Sequence, residues 1–331
     1  MSTDAPGDSG RIDGHGTEAY LEAMGQWDLE IRQVSPGELH WNVDYVRVGP
    51  MLLYRERFTR RALFKGATPP GSVMIACSRS GRPGIDWCGE QVHAGRLVLE
   101  PSATEIGVIT PEDNEHVILE VPGALLERVA PDVNAALPRK SGHHLVTDAR
   151  LGTAFIRTID GTITRYLARS DLLADARVCL ALEREFVDHL TTLFLYGCVS
   201  MDRSTRADRR VALDRALEVV HAQHQQITLH ELASAAGTHP RTLQRAFKET
   251  LQISPLKYLS WSRMHAAHRD LRAADPFSSS VTEIGLRWGF TELGRFAGEY
   301  RLLFGELPQA TLMRGPGPPP RDLYATVRDS V

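Results

Sequence analysis

The sequence predicts an α+β chain: a β-rich unit closed by helices, then an all-α unit. Three observations predict it. Short runs of β-branched and aromatic residues, broken by turn residues, fill positions 38–121; apolar residues recur at helical spacing over 148–198; and a helical block beyond residue 211 occurs twice. The 331 residues suffice for two cores, and 42% hydrophobic with 24% charged residues is an ordinary soluble composition.

Residues 1–19 are rich in Gly, Asp and Ser and read as a disordered N-terminus. They have neither the basic start nor the apolar run of a signal peptide, and no stretch approaches the ~20 apolar residues of a membrane span. The expected compartment is the cytoplasm, with no membrane partner. Cys77, Cys88, Cys179 and Cys198 form no CxxC pair and read as reduced core residues rather than a disulfide framework or zinc ribbon. Residues 20–200 form the first unit. Its strands are the runs "LHWNVDYVRV", "MLLYRERF", "SVMIAC", "RLVLEP", "TEIGVIT" and "HVILEV", whose close spacing suggests an antiparallel sandwich or barrel. Two long helices follow, marked by Leu151, Phe155, Ile159, Ile163 and Leu167, then by Leu180, Leu182, Phe186, Leu190 and Leu193. The second stripe suits a dimer seam and, equally, burial against the chain's own sheet. Residues 201–211, with "MDRSTRADRR", read as a linker, 212–314 as the all-α unit and 315–331 as a flexible tail.

Within 212–314 the chain repeats itself. Leu232 and Ala233 match Ile284 and Gly285 at an offset of 52, and Leu243, Phe247 and Pro255 match Phe296, Tyr300 and Pro308 at 53. Each copy is a helix, a glycine-containing turn and a second helix, with a small residue where the two cross: a helix-turn-helix, twice. In the first copy Thr228 and Glu231 form a capping box, and Pro240 suits the first turn of the second helix. Leu243 and Phe247 face inward, leaving Arg241, Thr242, Gln244, Arg245 and Lys248 outside. Arg pairs with guanine, Gln with adenine, and Lys or Arg with phosphates; any solvated helix face also carries such residues, and the repeat decides for DNA. In the second copy Thr291 and Arg295 are the polar candidates, and Gly294 and Gly298 cost roughly 1 kcal/mol each against alanine. The net charge of −3 conceals an asymmetry: residues 210–314 carry 13 Lys/Arg against 10 Asp/Glu, a local +3, leaving −6 elsewhere.

These blocks, "LASAAGTHPRTLQRAFKETLQISPLKYL", "RMHAAHRDL" and "VTEIGLRWGFTELGRFAGEYRLLFGELP", resemble the double helix-turn-helix domain of AraC-type transcription regulators. "GFTELGRFAGEYRLLF" and "SPGELHWNVDYVRV" are most similar to the ethanolamine-operon regulator subfamily. The resemblance implies a cupin-like β-barrel with dimerisation helices, a small-molecule effector in the barrel, a homodimer on double-stranded DNA, contact with RNA polymerase and, as for most of the family, activation. It also implies that both recognition helices enter successive major grooves about 34 Å apart. Two departures stand out: His239 replaces the family's usual serine N-cap, leaving Thr238 as an alternative cap, and Gly298 falls where relatives often carry arginine.

For the effector, "GIDWCGEQ" with Trp41 offers Trp41, Asp86, Trp87 and Glu90, an aromatic and carboxylate set suited to an amine; a surface turn with a packed tryptophan explains it equally. The alternative is a cupin-type enzyme or small-molecule-binding module with an appended DNA-binding domain. His40, His93, His116, His143 and His144 show no HxH pair beside a strand carboxylate, and His221 and His224 read as a solvated pair. No metal, cofactor or catalytic set is therefore expected.

Overall fold

The computed structural model describes residues 7–25, 27–79, 84–129, 131, 144–146, 148–196, 199–201, 207–222, 227–315 and 323. Two antiparallel sheets face one another. The larger runs β1 (Gly7–His15), β3 (His40–Val48), β4 (Met51–Phe58), β11 (Asn114–Pro122), β6 (Ser72–Ser78), β9 (Leu97–Glu100), β12 (His144–Val146) and β13 (Val199–Met201). The smaller runs β2 (Asp28–Gln33), β5 (Ala62–Ala67), β10 (Glu105–Ile109), β7 (Ile85–Trp87) and β8 (Glu90–Val92). Among the described residues the sheets share no hydrogen-bonded strand pair, so the expected barrel takes the form of a sandwich.

The larger sheet is apolar on both faces, which is why its strands read as nearly continuous hydrophobic runs. Alternate residues such as Trp41, Tyr45, Tyr54, Phe58 and Ile118 pack toward Phe64, Trp87 and Ile106 of the smaller sheet. The other set, including Val46, Leu53, Ile75 and Leu119, meets two long helices, α3 (Ala149–Ala168) and α4 (Ala176–Tyr196). There Phe155, Ile159, Ile163, Leu182, Phe186, Leu190 and Leu193 are buried. The stripe considered as a dimer seam thus belongs to the chain's own core, where each large side chain contributes roughly 1.5–3 kcal/mol relative to exposure. Only Leu180 of that stripe stays outside, 52% exposed.

Disorder over 1–19 is corrected for residues 7–19. Gly7–His15 is an edge strand paired residue for residue with β3, and α1 (Gly16–Ala23) begins before Tyr20. Gly10 lies opposite Tyr45 and Gly14 opposite Trp41, and a Cβ at Gly14 would sit 2.4 Å from the Trp41 ring. The glycines that lowered local hydrophobicity are what let the aromatic rings lie across the strand. The polar residues are paired: Arg11 donates to Asp44 and Tyr45 Oη to Asp8. The linker also ends earlier than expected, because α5 (Ala207–Ala222) already covers 207–211; residues 202–206 lie outside the described set. In the expected flexible tail, Leu323 is buried in the inter-sheet core and donates its N–H to the Ala23 carbonyl at 2.9 Å.

The all-α unit continues as α6 (Leu229–Ala235), α7 (Pro240–Thr250), α8 (Pro255–Ala273), α9 (Val281–Arg287), α10 (Leu293–Phe304) and α11 (Pro308–Arg314), with α2 (Gly123–Val129) left in the first unit. Helix α8 is shared by two cores: Tyr258 and Leu259 pack with Leu232, Leu243 and Phe247, whereas Trp261, Met264, Ala267 and Leu271 pack with Ile284, Phe296 and Tyr300. It therefore fixes the two units relative to each other. Val34, Leu63 and Ile109, from the outer side of the smaller sheet, join the first of these cores. The chain is stacked in four layers: helices, large sheet, small sheet and helical unit.

Candidate nucleic-acid interface and ligand cavity

The two helix-turn-helix units repeat down to their hydrogen bonds. After α6, the N–H groups of Ala236, Gly237 and Thr238 donate to Leu232, Ser234 and Ala233; after α9, those of Trp288, Gly289 and Phe290 donate to Ile284, Leu286 and Gly285. Gly237 and Gly289 close these turns at φ +66° and +78°, a region that disfavours a Cβ. The first helices open alike. Thr228 and Glu231 make a full capping box, and Ser280 accepts from the Glu283 N–H. At the crossing, a Cβ on Gly285 would meet Leu293 Cδ2 at 3.1 Å, which accounts for the small residue there. The second unit spends one more residue in its turn, so α7 starts at Pro240 and α10 at Leu293.

On α7, Leu243, Ala246 and Phe247 are buried; Arg241, Thr242, Gln244, Arg245 and Lys248 are all exposed, as one face. Arg245 donates to Glu249 at 2.7 Å, one turn on, while Arg241, Gln244 and Lys248 extend from the same surface. His239 is itself the N-cap: its Nδ1 accepts from the Arg241 N–H at 3.2 Å, with Pro240 following. No cap from Thr238 is needed.

Helix α10 presents a different surface. Thr291 lies outside the helix and Glu292 is the N-cap, with no side-chain cap bond, so the first N–H groups of the helix are left for another acceptor. Arg295 donates to Glu299 at 2.9 Å, and Glu299 also accepts from Lys257 of α8 at 3.2 Å. Among the described residues, a Cβ on Gly294 or Gly298 would meet nothing within 4 Å. The packing of the described residues does not demand these glycines.

Of the four ligand candidates, only Trp87 lines the cavity between the sheets. Trp41 is buried beside Tyr20 but its indole N–H is taken by the Gly16 carbonyl at 2.9 Å. Asp86 faces away, toward the helical unit, where it accepts from Arg210 at 2.5 Å. Burial works against the Arg210 charge, but Asp214 and Asp86 outweigh it and hold the guanidinium above its usual range. Glu90, cross-strand from Trp87, does not line the cavity. The cavity instead brings together Tyr20, Trp27, Tyr54, Phe64 and Trp87 with Glu56 and His116. Glu56 accepts from Tyr20 Oη at 2.6 Å and stands 3.4 Å from His116 Nδ1. Two further carboxylates are buried behind the aromatics: Glu120 accepts from Tyr54 and Trp27, and Glu100 from Trp87. The overlooked signal is period two: "LLYRERF" and "EHVILEV" put Glu56, His116 and Glu120 at inward positions of otherwise apolar faces.

Of the histidines, His93 abuts Gly84, while His143 and His224, like Cys198, lie outside the described residues. His221 is not solvated: it pairs with Glu30 of β2, and burial lowers its pKa despite that partner. His40 meets His15 and Glu38, with ligand atoms all within 4.8 Å of one another, a grouping that the disorder-like composition of β1 conceals in the sequence.

Comparison with known proteins bears on this geometry. A helix-turn-helix domain family matches residues 232–314. The chain is 45% identical over 96 residues to the probable thc operon regulatory protein of Rhodococcus erythropolis, a match covering 29% of each chain. It is 26% identical over 220 residues to the XylDLEGF operon transcriptional activator of Pseudomonas putida, covering 66% of this chain and 67% of that one. Among solved structures, the AraC-like transcriptional activator CuxR is similar at 14% identity and a TM-score of 0.44, covering 79% of this chain and 96% of that chain. Among the described residues no helix is long and apolar enough to cross a membrane.

Proposed function

From its C-terminal helix-turn-helix domain of the AraC type, we infer that the chain is a sequence-specific DNA-binding transcription regulator. The observation that carries this is the duplicated unit with matching turn bonds and one exposed face of Arg241, Gln244, Arg245 and Lys248. Helix α7 reads bases; α10, with its bare N-terminus, Arg295 and small residues, sets position on the phosphate backbone. Activation, through RNA polymerase and as a homodimer, is proposed from the relatives named as activators. Selection of bound fragments from random double-stranded DNA tests it. A single enriched motif with two half-sites is expected, and recovery of unselected sequence would refute it.

The effector is a small amine held between the sheets. This rests on the cavity's chemistry: Glu56 and His116 line it beside an aromatic wall, and two more buried carboxylates, Glu100 and Glu120, accept hydrogen bonds from the Trp87, Tyr54 and Trp27 side chains of that wall. Buried anions are costly unless paired, and a cation among aromatic faces supplies both a counter-charge and cation–π attraction. The ethanolamine-operon resemblance agrees with it. For an effector to regulate, it must bind two arrangements of the chain unequally. The contact of the small sheet with the helical unit, through Arg210 and Asp86 among others, is the arrangement it would shift. Titration of purified protein with ethanolamine and related amines should raise its melting temperature without consuming the amine. Turnover would replace the sensor with an enzyme.

A further inference from the structure

We propose that His15, Glu38 and His40 bind a divalent first-row metal ion, Zn²⁺ above all, which braces the seam between the sandwich and the second helix-turn-helix unit. His15 and His40 are directly opposed in the antiparallel β1–β3 pair, so both imidazoles rise from one face, with ring centroids 4.4 Å apart. Glu38 reaches between them, with Oε1 3.1 Å from His15 Nδ1 and Oε2 3.4 Å from His40 Nε2. Zinc bonds of ~2.0–2.2 Å in tetrahedral geometry place neighbouring ligand atoms about 3.3–3.5 Å apart. One ligand atom from each of the three residues lies within 4.8 Å of the other two, so small rotations of these exposed side chains bring the set to that spacing. Two imidazoles and a carboxylate favour zinc or its neighbours over magnesium or calcium. Three side chains leave a fourth position open, and about half of each is solvent-exposed, which suits an exchangeable ion.

The position gives the ion something to control. The Gly37 N–H donates to the Leu302 carbonyl at 2.8 Å, and Gln33 Nε2 donates to Leu303 O at 2.7 Å, so the segment from Gln33 to Glu38 satisfies the last turn of α10. Gly305, the left-handed C-cap of α10, lies directly over Glu38; a Cβ there would be 2.9 Å from Glu38 Cβ. Tying Glu38 to β1 and β3 fixes the support on which the second recognition helix ends.

The test uses the full-length chain freed of metal with a chelator. Zn²⁺ alone is titrated against a chromophoric competitor, and Co²⁺ is added separately for its visible spectrum. One tight equivalent and a tetrahedral Co²⁺ spectrum are expected. In His15→Asn/His40→Asn and in Glu38→Gln the affinity should fall by at least the roughly 10–100-fold that loss of even an outer-shell partner costs. His93→Asn should bind as the parent does. Because the three side chains are exposed, circular dichroism should show the variants folded. Hydrogen exchange should slow over 34–39 and the last turn of α10 when Zn²⁺ binds the parent chain. Equal affinity in parent and variants would overturn the site, and unchanged exchange would overturn the brace. None of these readouts depends on DNA binding or on an amine.

Discussion

Arg241 and Gln244 occupy the first turns of α7 on the side opposite Leu243 and Phe247, so they can be removed without touching the core. Either change to alanine should weaken specific binding by about 1–3 kcal/mol and relax preference at one base position, while binding to random DNA changes little. Footprints indistinguishable from the parent's for both variants would remove α7 as the reader. His239 yields a second prediction. Its imidazole supplies the cap bond to the Arg241 N–H, worth about 0.5–1.5 kcal/mol net. His239→Ala should lower stability by that amount, and His239→Ser, a stronger cap type, should restore it; thermal unfolding of both variants checks the pair. The two caps of the first helix-turn-helix unit mark the limit of reading caps from sequence. Thr228 with Glu231 was legible because Thr-x-x-Glu is a cap by spacing alone. His239 was not, because a ring nitrogen reaching forward two residues depends on rotamer and entry angle. Asp86 was misassigned for a related reason: a carboxylate beside a tryptophan in sequence is across the strand from it in space.

Helix α10 keeps two glycines at a stability cost of roughly 1 kcal/mol each, and nothing among the described residues fills the space where their side chains would be. That combination points outward, to a surface approached closely by another molecule. Gly294→Ala and Gly298→Ala should each raise the melting temperature, and each should weaken DNA binding because a methyl is placed on the approaching face. A variant that is both more stable and an equal binder would show that the glycines are merely tolerated. The contrast with Gly285 is instructive, since its missing Cβ is required by Leu293 across the helix crossing, and the repeat alignment with Ala233 had located it. Helices were the more legible elements because periodicity and caps are local. Strand β1 was not, because its Gly, Asp and Ser composition is that of a disordered segment until Tyr45 and Trp41, thirty residues away, lie across it. The short strands β7 and β8 were lost in a turn-rich run for the same reason: their pairing partners lie elsewhere.

At the scale of the whole molecule, the helical unit is docked on the smaller sheet, and this junction contains buried ionisable groups. His265 and His268 of α8 are buried against the first unit; His265 Nε2 lies 3.1 Å from the Gln33 carbonyl, and His268 lies 3.8 Å from Glu18. Burial lowers the pKa of both imidazoles, with Glu18 only partly opposing it and Arg32 and Arg272 adding to it. Burial alone would raise the Glu18 carboxyl, but His268, His265 and Arg272 outweigh it and hold that carboxyl below the usual range. The signs agree. An exposed imidazole titrates near 6.5, so below that pH the separated or unfolded chain binds protons that the docked histidines resist. The stability contributed by neutral His265 and His268 is complete above about pH 6.5 and is lost as pH falls toward their depressed values. The contribution of ionised Glu18 is lost further down, below the ordinary carboxylate range near 4.3. Melting temperature should therefore be flat from pH 8 to about 7 and fall between about 6.5 and 5. In His265→Gln/His268→Gln the same window should be shallower, because the groups that take up the protons are gone. Parallel curves for parent and double variant would show that other groups govern the acid response, and the docked junction would lose its claim to be the molecule's pH-sensitive layer.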